Sequence, residues 1–155
     1  MHQLFHLKAL PILIAVQAGE RIEKVTLVEN PEGLAFTVNS QASKSLTKEM
    51  MRFIEAYIEG EQSIPPPLEW RGCTPFTRSV LLKLGTLPFG GIQTYGQIAH
   101  AVGSPRGARA VGGACGRNPF PFFLPCHRVV GSQGIGGFSA GLNFKRVLLD
   151  FEKII

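Results

Sequence analysis

Residues 94–117 read TYGQIAHAVGSPRGARAVGGACGR, a run that predicts two short helices joined by a tight turn containing glycine. Thr94 stands three residues before Gln97, the spacing of a capping box, so the first helix should begin at Tyr95. Ser104-Pro105 is expected to begin the second helix directly afterwards. Two helices in this succession form a helix-turn-helix pattern, which we take as the organising motif of the second half of the chain.

The second of these helices carries almost no side chains apart from Arg109. Glycine costs roughly 1 kcal/mol relative to alanine in a helix, so a run this rich in glycine needs a reason. Small side chains let the backbone approach another surface closely. That surface is either a packed helix or the floor of a DNA groove, and the run itself leaves both open. The formal net charge of +5 favours a polyanionic partner, because cationic side chains displace counterions from phosphates.

The N-terminal part is expected to be rich in β-strands. Strands over residues 21–29 and 34–38 flank Asn30-Pro31-Glu32-Gly33, which is a turn sequence, and a hairpin is the simplest account of them. A helix over residues 45–59 should follow, with Ser45 as its N-cap.

Pro65-Pro66-Pro67 cannot continue a helix and favours an extended path. We therefore predict an N-terminal structural domain over residues 1–64 and a second domain over residues 65–155. The second domain should be mostly helical, since a helix should begin at Thr74-Pro75 and the last helix should span residues 143–153 with Asn143 as its cap.

Three cysteines, Cys73, Cys115 and Cys126, show no close paired spacing. This argues against a disulfide framework and against a zinc ribbon, so reduced thiols are expected. No apolar run is long enough to span a bilayer, and a signal peptide is a weak interpretation of the N-terminus. We therefore expect a cytoplasmic protein without membrane contact.

Cys126 is followed by His127, and a cysteine needs a base or a positive neighbour to become a nucleophilic thiolate. Glu152 could orient the imidazole, which would complete a nucleophile–base–orienter arrangement. The dipeptide alone fits a structural cysteine more often. Glu152 lies beside the apolar stripe of the last helix, where it could equally be a rim carboxylate that reaches water.

Six pieces of sequence, in order and at matching spacing, make residues 73–152 resemble the catalytic domain of the O6-alkylguanine-DNA alkyltransferases. These proteins are also called methylated-DNA–protein-cysteine methyltransferases. The pieces are Gly72-Cys73-Thr74-Pro75-Phe76, Thr94-Tyr95-Gly96-Gln97-Ile98-Ala99, Arg109-Ala110-Val111-Gly112-Gly113-Ala114, Asn118-Pro119, Pro125-Cys126-His127-Arg128-Val129, and Lys145 with Leu148-Leu149 and Glu152. The resemblance implies an α+β fold, with a small N-terminal α/β domain that is a reduced ribonuclease-H-like domain.

The resemblance also implies catalytic roles for five residues. Cys126 would accept the alkyl group, His127 would take its proton through a water, and Glu152 would hold His127. Tyr95 would press on a DNA phosphate and donate a proton to the departing guanine. Asn118 would be the hinge between the helix-turn-helix and the active-site segment.

Further residues would contact DNA if the resemblance holds. The second helix, with its small residues Ala110 and Gly112, would enter the minor groove, and Arg109 would fill the gap left by the flipped nucleotide. Val129 and Ser139 would contact the flipped base through their backbones. Phe138, which stands where relatives commonly have tyrosine, would cover its face.

The function implied is irreversible transfer of an alkyl group from O6-alkylguanine in double-stranded DNA, and also from O4-alkylthymine, to Cys126, once per molecule. We expect no cofactor, a monomer, and no metal, because the N-terminal region offers only His2 and His6 as ligands of the zinc type. Three alternatives remain at this point. They are a non-catalytic sensor of alkylation lesions, a helix-turn-helix regulator that reads base edges, and a cysteine hydrolase that turns over.

Overall fold

The computed structural model describes residues 1–137 and 141–153. Its N-terminal part is a four-stranded sheet of β1 (His2–Leu4), β2 (Ile12–Ala18), β3 (Ile22–Glu29) and β4 (Ala35–Val38), in the order β1-β4-β2-β3. The central strand β2 buries every second residue, which is the period expected of a strand with one face on a core. Antiparallel pairs join β1 to β4 and β2 to β3, while β2 and β4 are parallel.

The predicted hairpin between residues 21–29 and 34–38 is wrong. The strand β2 lies between these two segments and pairs with both, so β3 forms its hairpin with β2 instead. Turn residues at Asn30–Gly33 do reverse the chain, and Gly33 adopts φ +113° there. The pairing of strands depends on which apolar faces pack together. The turn sequence after β3 therefore cannot show that β2 lies between β3 and β4.

A single long helix, α1 (Lys44–Ile58), follows the sheet. Its N-cap is Ser43, whose hydroxyl accepts a hydrogen bond from the backbone of Leu46, so the predicted cap at Ser45 is wrong by two residues. The buried face of α1 belongs to the same hydrophobic core as the sheet and includes Tyr57, which becomes important at the site.

The second half contains α2 (Pro75–Leu84), α3 (Tyr95–Ala101), α4 (Ala108–Gly116) and α5 (Leu142–Phe151). The predicted starts of α2 and α3 are confirmed. Thr74 caps α2 with proline in its first turn, and Thr94 and Gln97 form the capping box of α3. Between α4 and α5 lie a 3-10 helix, Cys126–Arg128, and two short strands, β5 (Gln93–Thr94) and β6 (Val129–Val130), that pair in parallel.

Two predicted helix starts are wrong. Helix α4 begins at Ala108, because Ser104 accepts from the backbone N–H of Gly107 and the chain makes a turn with Pro105 at its second position. Helix α5 begins at Leu142, one residue before the predicted cap, after Gly141 at φ +112°.

These elements confirm the predicted α+β class, with a small sheet and one helix followed by a mostly helical part. The division at residues 64 and 65 stays a prediction, and several contacts cross it. Ile22 forms a parallel bridge with Leu68, and Val25 donates from its backbone to Pro119. No helix within the described ranges is both long and apolar enough to cross a membrane.

Candidate active site

Cys126 lies at the start of the 3-10 helix, and its side chain is buried, with 2% of the residue exposed. The amide of Asn118 holds this segment from the end of α4. Its Nδ2 lies 3.2 Å from the Cys126 sulfur and donates at 3.0 Å to the carbonyl of Leu124. Its Oδ1 accepts from the backbone of Phe120 at 2.9 Å. Asn118 therefore ties the end of α4 to the cysteine segment through one side chain.

Burial raises the pKa of Cys126 to about 11, although the hydrogen bond from Asn118 and the charge of Lys145 both lower it. The resting group is therefore a thiol at neutral pH. A nucleophilic thiolate has to be generated by transfer of the proton to a base.

Glu152 is the acceptor for four donors and is itself buried, with 4% of the residue exposed. Its Oε2 lies 2.6 Å from His127 Nε2 and 2.8 Å from the Tyr57 hydroxyl. Its Oε1 accepts from Arg128 Nε at 2.7 Å and from the backbone of Gly90 at 3.0 Å. We call this group, Glu152 with Tyr57, Gly90, His127 and Arg128, the Glu152 cluster.

The electrostatics of the Glu152 cluster fix its protonation. Burial alone would raise the pKa of Glu152, but the hydrogen bonds and charges of His127 and Arg128 outweigh it and bring that pKa to about 2. Burial lowers the pKa of His127, against the raising effect of Glu152. At neutral pH the pair is a carboxylate and a neutral imidazole, because both pKa values are lowered and both groups are therefore deprotonated.

Lys145 is fully buried and donates to two backbone carbonyls, Val129 at 2.6 Å and Gly137 at 2.9 Å. Its Nζ lies 5.7 Å from the centroid of the Tyr95 ring. Burial lowers the pKa of this ammonium, while the neighbouring thiols Cys126 and Cys115 raise it. Lys145 thereby orients the Val129 carbonyl and holds the backbone at Gly137.

Tyr95 is brought beside Cys126 by the short pairing of β5 with β6, because Tyr95 follows β5 directly and Cys126 precedes β6 by three residues. Its hydroxyl donates to the carbonyl of Gly137 at 3.3 Å. Gly136, at φ +74°, has to be glycine here, since a Cβ would stand 2.7 Å from the phenol oxygen. Burial raises the pKa of Tyr95, so the phenol keeps its proton at neutral pH.

Helix α4 exposes Arg109 and Ala110 in its first turn. Its buried side is formed by Val111, Ala114 and Cys115. Packing within the described residues does not require glycine at positions 112 and 116, whereas a Cβ at Gly113 would stand 3.1 Å from Nη1 of Arg117. A Cβ at Gly112 would meet Tyr95 only at 4.0 Å, and one at Gly116 would meet nothing within 4 Å. Internal packing therefore accounts for Gly113 in part, whereas Gly112 and Gly116 favour approach of the helix to an external surface.

The structure brings together Cys126, His127, Glu152, Tyr95 and Asn118, with the backbone of Val129, and exposes Arg109. Phe138 and Ser139 lie outside the described residues. The role of Glu152 as a rim carboxylate is excluded by its burial. All three cysteines, which the structure describes, are free thiols, and no group of three or more metal-ligand side chains occurs among the described residues.

Three residues of the site were missed by the sequence interpretation, namely Tyr57, Arg128 and Lys145. Arg128 and Lys145 lie inside the matching pieces, so their buried polar contacts could have been suspected. Tyr57 gives no local signal, because an aromatic residue at helical spacing with Leu46, Met50 and Ile54 predicts only core packing.

Comparison with known proteins gives the family. The family model for the DNA-binding domain of 6-O-methylguanine DNA methyltransferase matches residues 75–154. A methylated-DNA–protein-cysteine methyltransferase from Methanosarcina acetivorans is 36% identical over 144 residues, which cover 92% of this chain and 91% of that protein. The chain belongs to the methylated-DNA–protein-cysteine methyltransferase family. A probable member from Acanthamoeba polyphaga mimivirus is 51% identical over 86 residues, 56% of this chain and 57% of the viral protein.

Solved structures agree with this assignment. The crystal structure of Mycobacterium tuberculosis OGT in complex with DNA is similar at a TM-score of 0.70 and 31% identity, with 92% of this chain and 93% of that chain covered. The O6-methylguanine-DNA methyltransferase of Pyrococcus kodakaraensis is similar at a TM-score of 0.66 and 28% identity, with 88% and 89% covered. Three predictions are confirmed: the family, the repair activity as a methylated-DNA–protein-cysteine methyltransferase, and DNA as the partner.

Proposed function

We propose that Cys126 is the acceptor, and that the protein moves the alkyl group of O6-alkylguanine, and also of O4-alkylthymine, from duplex DNA onto its sulfur. The observation that carries this proposal is the juxtaposition of a buried thiol, held at 3.2 Å by Asn118, with a histidine fixed at 2.6 Å by an ionised glutamate. A nucleophile, a base and an orienting carboxylate are the three parts that activation of a cysteine requires.

The proton path follows from the ionisation of the Glu152 cluster. A carboxylate only accepts hydrogen bonds, so His127 Nε2 carries a proton and donates a hydrogen bond to Glu152. The other ring nitrogen, Nδ1, is then the one that takes the Cys126 proton, through a water. The thiolate attacks the alkyl carbon, a carbon–sulfur bond forms and the carbon–oxygen bond breaks. Tyr95 gives its proton to the departing base.

Access to the sulfur requires the nucleotide to leave the duplex, because an O6-alkyl carbon is stacked within DNA and Cys126 is buried. We assign Arg109, exposed in the first turn of α4, to the gap in the base stack. Ala110 and Gly112 would let α4 enter a minor groove about 6 Å wide in B-DNA. The backbones of Val129 and Ser139 would contact the flipped base, and Phe138 would cover its face.

The thioether product is stable, so each molecule would act once, without a cofactor or metal. A monomer is sufficient, since Cys126, His127, Glu152 and Tyr95 come from one chain. Location in the cytoplasm stays a prediction from the sequence.

The test is labelling of the sulfur. The protein is incubated with a duplex carrying labelled O6-methylguanine, digested and analysed by mass spectrometry, with Cys115→Ser as the matched control because Cys115 is also a buried thiol near the site. We expect one label per molecule on the Cys126 peptide, retained in Cys115→Ser and lost in Cys126→Ala, which should still bind DNA.

Other outcomes would identify the alternatives. DNA binding without label would indicate a lesion sensor, and product beyond one equivalent would indicate a hydrolase. A footprint with a strong preferred sequence, independent of damage, would indicate a regulator.

A further inference from the structure

We propose that Tyr57 is a positioning residue for alkyl transfer, and that its hydroxyl sets how Glu152 holds His127. Helix α1 of the N-terminal part would thereby complete the site that the C-terminal part contains. This inference rests on the proposed function of Cys126 and His127.

The geometry centres on one oxygen atom. Tyr57 donates at 2.8 Å to Oε2 of Glu152, the same atom that lies 2.6 Å from His127 Nε2. The other oxygen, Oε1, is already held by Arg128 and by the backbone of Gly90. Among the described residues, Tyr57 is thus the partner that shares the histidine's acceptor atom. It reaches that atom across 95 residues of sequence.

The surroundings of this hydrogen bond exclude water. Tyr57 is buried, with 4% exposed, and its ring packs on Phe122 at 4.7 Å, Phe89 at 5.3 Å and Phe151 at 5.5 Å between centroids. Polar contacts are stronger in such a medium of low dielectric constant, and a misplaced carboxylate has no solvent to reorient into. Loss of the hydroxyl should therefore change both the position of Oε2 and the charge that His127 experiences.

A buried phenol needs an acceptor, and a backbone carbonyl would serve a merely structural tyrosine. Tyr57 is bonded instead to the carboxylate that orients the base. This choice has a chemical consequence, because a donor on Oε2 withdraws part of its negative charge. That charge is what would stabilise the imidazolium formed when His127 takes the Cys126 proton.

The direction of the effect follows from the charges that face His127. They are the Glu152 carboxylate, the Arg128 guanidinium on the other carboxylate oxygen, and the Lys145 ammonium of α5, with the Cys126 thiol as the proton donor. Arg128 and Lys145 disfavour the imidazolium, and Glu152 favours it. In Tyr57→Phe the carboxylate loses a donor, so the pKa of His127 should rise.

The experiment measures single-turnover alkyl transfer against pH for the full chain and for Tyr57→Phe. We expect the maximal rate to fall about tenfold, the size of a lost orienting contact of about 1.4 kcal/mol. The acidic limb, where His127 becomes protonated, should move to higher pH. Affinity for the lesion duplex should stay unchanged, since Tyr57 is buried and offers no surface for DNA to contact.

Phe53→Leu is the matched control, because Phe53 lies on the same helix and packs on Phe122 and Phe123 without a hydrogen bond to Glu152. It should lower stability without moving the acidic limb. An NMR titration of His127 in the Cys126→Ala background, with and without Tyr57→Phe, gives the same comparison independently of activity.

Two results would overturn the inference: an acidic limb and rate identical to wild type in Tyr57→Phe, or an equal shift in Phe53→Leu. Failure of the proposed function is a different observation, since the wild-type protein would then carry no label on Cys126 at all.

Discussion

The Glu152 cluster and the exposed first turn of α4 belong to the same small protein but are built in opposite ways. The cluster buries a carboxylate, a guanidinium and an imidazole, and its four donors come from three separate parts of the chain, at Tyr57, at Gly90 and at the adjacent His127 and Arg128. The α4 surface offers Arg109, Ala110 and two glycines, Gly112 and Gly116, that no contact among the described residues requires.

The difference separates two tasks. Chemistry needs charges held rigidly without water, which only packing from several directions provides. Close approach to DNA needs small side chains and one long cationic side chain. A short stretch of sequence is enough to supply both. We therefore expect substitutions in the Glu152 cluster to affect stability and rate together, and substitutions on α4 to affect reaction with duplex DNA alone.

The largest effect is expected for Glu152→Gln. It leaves Arg128 buried without its counterion, and removal of one partner of a buried pair costs about 3–5 kcal/mol. Urea unfolding should show this loss, and single-turnover transfer should fall by about 10²-fold or more. Glu55→Gln, at an exposed position of α1, is the matched control and should change neither quantity. Wild-type stability in Glu152→Gln would contradict the buried-pair interpretation.

The second largest effect is expected on acidification, which protonates Glu152 and removes its ionic and hydrogen-bonding contacts. The pKa of Glu152 is lowered from its ordinary 4.5 to about 2, so its contribution to stability is complete above about 4.5 and is lost as pH falls through about 2. The lowered pKa of His127 adds a smaller loss below about 6.5, because the unfolded state binds that proton more readily. Protonation of the Glu152 carboxylate should lower the free energy of unfolding by about 3 kcal/mol.

The measurement is the free energy of unfolding in urea between pH 7 and pH 2.5. Glu152→Gln should lack the lower part of this dependence, because it carries no carboxyl group to titrate. An equally steep decline in both proteins would assign the acid sensitivity to other carboxylates.

The smallest of the three effects concerns the α4 surface. Arg109→Ala should slow repair in duplex DNA about tenfold, equivalent to about 1.4 kcal/mol, since the gap left by the flipped nucleotide would stay unfilled. Reaction with free O6-benzylguanine and the free energy of unfolding should stay at wild-type values. Arg106→Ala, which removes a neighbouring exposed cation, should weaken binding only through phosphate charge and reduce the salt dependence. Equal losses on duplex and free base would remove the gap-filling role.

The local parts of the fold could be predicted because their causes lie within a few residues. The cap at Thr74 and the capping box at Thr94 are such cases, and both are confirmed. The starts of α1, α4 and α5 were displaced by one to four residues. Ser43 caps α1 in place of Ser45, whereas α4 and α5 follow Gly107 and Gly141 without a side-chain cap, so the backbone path alone sets where they begin. The hairpin prediction was wrong for the opposite reason. The strand β3 pairs with β2, which precedes it, and the turn that follows β3 carries no information about that pairing.

The candidate site divides in the same way. Cys126, His127, Asn118 and Tyr95 could be named because the order and spacing of their sequence pieces are specific to a family. Glu152 could be named but not located, since a position beside an apolar stripe fits both a rim carboxylate and a buried one. Glu152 is buried because distant segments surround it. Its donors lie between 24 residues (Arg128) and 95 residues (Tyr57) before it in the sequence.

By itself, the sequence determined the family, and it singled out Cys126 as the candidate acceptor and residues 94–117 as two short helices, because these depend on residue type and short-range spacing. Tertiary structure alone decided that Tyr57, Arg128 and Lys145 belong to the site. Their roles arise from desolvation: once packing removes water, every buried charge must find partners from whichever segments surround it, and no local pattern encodes which segments those are.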